Sequence, residues 1–149
     1  MQSMKTLVLN REVLVIIEES IREGKSVSLT VRGNSMSPLL LDGRDTVKLV
    51  SFRPEELKEG DVILFRYGPD FLMHRIVRID RNYSDDPPII TKGDALSGTE
   101  KTTMSHVVAL ALLPEHGLLT LWIRKGLILL RSIRLRFRRI LNMINRSED

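Results

Sequence analysis

The sequence contains no cysteine, which excludes a disulfide scaffold, a thiolate zinc site, an iron–sulfur cluster and a cysteine nucleophile. Long apolar runs are also missing. Stretches such as Val13 to Ile17 and Leu127 to Leu130 fall far short of the roughly 20 apolar residues that span a bilayer. Asn10, Arg11 and Glu12 follow Leu7 to Leu9 before any signal-peptide apolar region can form, so the expected location is the cytoplasm. Internal repeats and low-complexity segments are absent as well. What remains is ordinary: 149 residues, 42% hydrophobic and 28% charged, enough apolar material for the core of one folded domain.

The net charge of +4 conceals an asymmetry. Residues 1–123 hold 15 Lys and Arg against 17 Asp and Glu, whereas residues 124–146 hold eight basic residues and no acid. An electrostatic partner is therefore expected for the tail and not for the body.

Three segments follow from periodicity. Asn10 is a candidate N-cap, Val13, Ile17 and Ile21 recur at helical spacing, and Gly24 is a natural stop, which predicts a helix from Arg11 to Glu23 within an N-terminal segment 1–24. From Val27 the period changes to two, with Val27, Leu29 and Val31 alternating against polar neighbours. Further strand-like runs occupy 46–50, 61–65, 71–80, 89–92 and 106–113, joined by connectors rich in Gly, Pro and Asp. The expected fold is mainly β, a small barrel or sandwich over 25–116. Beyond Pro114 and Gly117, apolar residues Ile123, Leu127, Leu130, Ile133, Phe137, Ile140 and Ile144 step by three or four, with arginines opposite. Residues 117–149 therefore read as a basic amphipathic helical tail.

Three stretches carry candidate chemistry. In Val31-Arg32-Gly33-Asn34-Ser35-Met36-Ser37-Pro38 a strand ends in a turn that presents Ser35. A rigid sheet can hold such a hydroxyl in place for nucleophilic attack, although serine in a turn is also ordinary hydrogen-bonding chemistry. Serine needs a base, and there are three histidines, His74, His106 and His116. His74 shares a strand face with Leu72 and Ile76, where burial keeps an imidazole neutral, as a general base must be. A core histidine satisfied by a carbonyl gives the same pattern. In Thr91-Lys92-Gly93-Asp94-Ala95 a strand runs into a glycine turn and an acid, which can hold a histidine in one tautomer or can simply make the turn.

Taken together and in order, Ser35-Met36-Ser37-Pro38, Gly60-Asp61-Val62-Ile63, His74-Arg75-Ile76-Val77 and Lys92-Gly93-Asp94-Ala95 resemble the boxes of the type I signal peptidases and the related self-cleaving repressor peptidases. The resemblance runs from Ser26 to Pro114, about 90 of 149 residues. His74 followed by Arg75 is similar to the endoplasmic-reticulum-like subtype, in which histidine replaces lysine as base. The resemblance implies a serine endopeptidase with Ser35 as nucleophile, His74 as general base and Asp94 as acidic partner. Glu100, about half a dozen residues on, is the alternative acid. It also implies the Ser35 N–H as one oxyanion donor. The hydroxyl that some relatives carry two residues earlier is replaced here by Gly33, which leaves Asn34 as candidate for the second donor; Met36 and Pro38 support the turn.

The short helix stands where a signal peptidase has its membrane anchor, and no helix-turn-helix reader precedes the β domain. The expectation is therefore a peptidase acting on a peptide, a protein or itself. Ala109-Leu110-Ala111 resembles a small-x-small cleavage site, although it falls within the expected strand 106–113. The alternative is a peptide-binding or peptide-processing accessory module without turnover. No metal-ligand cluster is apparent, and the implied mechanism needs no cofactor. The tail from Leu121 to Ile144 has the composition of a helix lying on an anionic membrane surface, which would make the protein peripheral on the inner face. The same stripe can instead rest on the body or on a second copy. Nucleic acid is the weaker partner, because the tail has only Trp122 and Phe137 as aromatics.

Overall fold

The computed structural model describes residues 11–82 and 85–115. Asn10, His116 and the tail helix read from the sequence lie outside the described residues. By its contacts the chain divides into two units, 1–114 and 115–149, and the first holds every element described below.

Helix α1 (Arg11–Arg22) opens the fold. Its Leu14, Ile17 and Ile21 are buried, one side of the helical repeat. Gly24 ends it with a φ of 77°, and two hydrogen bonds close the terminus, from Gly24 N–H to Ile21 O (3.0 Å) and from Lys25 N–H to Ser20 O (2.9 Å). This is a Schellman cap, and the left-handed residue it requires is glycine. The helix is also tied to the sheet by an ion pair between Glu18 and Arg66.

Seven antiparallel strands follow: β1 (Val27–Thr30), β2 (Thr46–Val50), β3 (Val62–Tyr67), β4 (Asp70–Ile79), β5 (Pro88–Lys92), β6 (Glu100–Thr103) and β7 (Val107–Leu112). They form one sheet in the order β1-β2-β7-β3-β4-β5-β6. β3 and β4 are joined by a two-residue turn, with Tyr67 paired to Asp70. Gly68 has a φ of 59° and Pro69 is held at negative φ by its ring, the combination of a type II′ hairpin turn.

The mainly β class stands, but the expectation of a barrel or sandwich is corrected: the strands form a single open sheet. Alternating hydropathy and short connectors specify how many strands there are, not whether the first and last meet. Among the described residues, β1 and β6 are edges with one partner each.

Both faces of the sheet are covered. On β3, Val62, Ile63, Leu64 and Phe65 are all at most 1% exposed, a continuous apolar run of the kind a doubly covered strand needs. Burying each such side chain is worth about 1.5–3 kcal/mol. Val62 and Leu64 face one cluster with α1, Leu29, Val31, Met36 and Leu40. Ile63 and Phe65 face a second with Leu57, Ile76, Ile89 and Met104. Val77 is the extra residue of a bulge between β4 and β5. The bulge shifts the alternation, so Ile76 and Ile79, three apart, reach the same cluster.

Two features depart from the sequence reading. β6 was not expected. His106, expected to open a strand, lies exposed in a single 3-10 turn, Met104–His106, ahead of β7. Ala109 and Ala111 lie in β7 between β2 and β3 and are 0% and 4% exposed, so no peptidase reaches them in the folded chain. Among the described residues, no helix is long and apolar enough to cross a membrane.

Thr102 on β6 is 5% exposed, and its hydroxyl has no hydrogen-bond partner. Such a group loses its hydration without return, at about 1–3 kcal/mol. Thr102→Val keeps the shape and removes that penalty. Urea unfolding is expected to show about 1 kcal/mol or more of added stability at an unchanged m-value. A loss of stability would mean that the hydroxyl is satisfied by bound water.

Candidate active site

His74 stands near the middle of β4, between Leu72 and Ile76 on the side of the second cluster. It is 3% exposed, with its ring edge-on to Phe65 at 6.4 Å between centroids. Nδ1 lies 2.8 Å from Glu100 Oε2. Because a carboxylate only accepts, Nδ1 carries a proton in this contact, and in the neutral ring Nε2 is then the free acceptor. Nε2 has no protein partner among the described residues, yet it is not among the sealed, unpaired atoms. Thr91, fully buried on β5, donates from Oγ1 to the same Glu100 oxygen (3.2 Å). The register explains the grouping. Thr91 pairs with Ile76 on one side and with Glu100 on the other, so alternation brings His74, Thr91 and Glu100 to one face.

Asp94, expected on His74, is engaged elsewhere. Its two oxygens accept from Arg75 Nε (2.8 Å) and Nη2 (2.7 Å). Arg75 also donates through Nη1 to Gly60 O (2.6 Å). The hydrogen bonds to Asp94 raise the Arg75 pKa above its ordinary value, against the opposing effect of burial. The physical reason for the exchange of acids is the strand itself: adjacent side chains point to opposite faces, so an acid that meets Arg75 stands away from the face of His74. Of the two acids named from the sequence, Glu100 is the one on the imidazole.

Ser35 lies in the turn that follows β1, half-buried and beside the exposed Asn34. Met36 and Leu40 anchor this turn in the first cluster, and Leu40 N–H closes on Met36 O (2.9 Å). Gly33 donates its N–H to Asp42 Oδ1 (3.0 Å). Pro38 is half-buried and follows a cis peptide bond. The Ser35 carbonyl accepts from Ala95 N–H at 2.8 Å. A Cβ on Gly93 would lie 2.8 Å from that same oxygen. Arg75 pairs with Lys92, the last residue of β5, and Gly93 follows directly. Gly93 thus lies at the exit of the strand paired with β4 and against the Ser35 carbonyl. Among the described residues, no hydrogen bond joins Ser35 Oγ to His74.

Sequence reasoning missed Thr91 and the roles of Arg75 and Gly93. The signal for Thr91 was present in the alternation Ile89-Thr91, which sends both inward. The pairing of Arg75 with Asp94 had no local signal. No group of three or more His, Asp or Glu residues able to hold a metal ion occurs among the described residues. Comparison with protein-family models, with curated proteins and with solved structures finds no match for this chain.

Proposed function

We propose that this protein is a serine endopeptidase in which Ser35 attacks the peptide carbonyl, His74 carries the proton and Glu100 orients His74. The observation that carries the reading is the buried His74 ring with Nδ1 fixed on Glu100 at 2.8 Å and Nε2 without a partner among the described residues. A buried imidazole held this way has one tautomer and one orientation, which a base for serine requires. In the acylation step, the Ser35 proton moves to Nε2 as the Oγ–carbon bond forms. The imidazolium then returns it to the departing amine. Water repeats the cycle and releases the acid product. The Ser35 N–H supplies one oxyanion donor.

The lack of a hydrogen bond between Ser35 and His74 favours a second reading, a peptide-binding module on the same frame. Hydrogen bonds of this kind are often long in free enzymes and tighten with substrate, which is why the peptidase reading is preferred. The deciding experiment incubates the protein with a diverse peptide library and with a serine-directed phosphonate, and reads both by mass spectrometry. New termini together with an adduct on Ser35 are expected. A folded chain that yields neither would move the assignment to the binding module.

A further inference from the structure

We infer that Arg75 is a positioning residue, one that holds the Ser35 turn in register with His74 through Asp94. The inference rests on the peptidase reading and gives Asp94 a task other than orienting the base. The chain of contacts is continuous. Arg75 follows His74 directly on β4, so the strand that fixes the base also fixes the guanidinium. The guanidinium grips both oxygens of Asp94 and the carbonyl of Gly60, three donors of one planar fork. Gly60 N–H in turn donates to Ile76 O (2.8 Å), and Ile76 N–H to Asp61 O (2.7 Å). These bonds fasten the 58–61 loop to the strand beyond Arg75. Asp94 is therefore tied to a doubly braced point.

From Asp94 the path to the nucleophile is one residue long. Ala95 N–H donates to the Ser35 carbonyl (2.8 Å), while Gly93 lets that oxygen approach its Cα without a side chain between them. The Ser35 turn has its apolar anchors in the first cluster, and His74 faces the second. Core packing within either cluster therefore does not by itself fix the two groups relative to each other. The hydrogen-bonded path that runs between them passes through residues 93–95, and Arg75 clamps that turn from the strand of the base. The side chains of Arg75 and Asp94 are 30% and 21% exposed. The pair is half-buried and bidentate, so it contributes to stability as well as to alignment, and the test has to separate the two.

The test compares the parent with Arg75→Ala and the milder Asp94→Asn. The measurements are peptide cleavage and amide exchange of the full chain by nuclear magnetic resonance. Arg75→Ala is expected to lower kcat about 10²-fold, the scale of a misplacement near 1 Å, with KM within about threefold and an unchanged shape of the pH–rate profile. Asp94→Asn is expected to move kcat the same way, by about tenfold. In both variants the Ala95 amide is expected to exchange at least about tenfold faster, while the Leu64 amide keeps the parent rate. A role confined to folding would speed both amides together. Unchanged Ala95 exchange in Arg75→Ala overturns the inference, and so does faster exchange with kcat at the parent level. A parent that cleaves no peptide and takes no phosphonate fails the peptidase reading instead, and the clamp is then decided by amide exchange alone.

Discussion

Replacing His74 with alanine is expected to lower kcat about 10⁶-fold, to the level left when a serine peptidase loses its base, with the fold retained. The reason is chemical: a serine hydroxyl is a weak nucleophile until a neighbour takes its proton. Among the described residues, His74 is the only histidine that is buried. Glu100→Gln should follow at about 10⁴-fold, because an amide can donate to Nδ1 and stabilise the wrong tautomer. Asp94→Asn should be the mildest of the three, because Asp94 is bonded to Arg75 and not to the ring. The check is kcat and KM for each variant on the best library peptide, with circular dichroism to confirm folding. The order His74, Glu100, Asp94 is the content of the prediction. A larger loss in Asp94→Asn than in Glu100→Gln would return the orienting role to Asp94.

That ordering marks the boundary of what the sequence disclosed. Periodicity located α1 and six of the seven strands, because their alternation or helical spacing is written in Val, Ile and Leu. β6 escaped for the same reason. Glu100-Lys101-Thr102-Thr103 has no strongly apolar residue, and its inward positions are a carboxylate serving His74 and a threonine. A strand that turns polar groups inward at a candidate site has no hydropathy signature. Openness of the sheet was equally hidden, since edge pairing is a property of the whole topology. At the site, His74 was legible as a shielded imidazole through its neighbours Leu72 and Ile76. Which acid served it was not. Asp94 and Glu100 both follow β5, and the choice depends on registers that pair Thr91 with Ile76 and with Glu100, information carried by strand pairing and not by local pattern.

Gly93→Ala should damage cleavage more than stability, and for a reason confined to one atom. Gly93 does not have a positive φ, so alanine meets no backbone penalty there. Its Cβ, however, would stand 2.8 Å from the Ser35 carbonyl oxygen and 2.9 Å from Leu96 Cδ1. Leu96 can turn aside. The carbonyl belongs to the main chain, and Ala95 N–H already holds it at 2.8 Å, so relief requires the Ser35 turn to retreat from the strand of His74. Overpacking of this sort costs about 1–3 kcal/mol of stability, whereas displacing a nucleophile by about 1 Å costs on the order of 10²-fold in rate. Gly24→Ala is the matched comparison. It is strained by a φ of 77° and meets nothing within 4 Å, so it should lose about 1 kcal/mol of stability and leave cleavage at the parent rate. Urea unfolding and kcat, measured on both variants, separate the two effects. If Gly93→Ala folds and cleaves at the parent rate, the contact between the 93–95 turn and Ser35 does not set the position of the nucleophile. If it folds and fails to cleave while Gly24→Ala cleaves normally, the missing side chain at position 93 is part of how Ser35 and His74 are brought together.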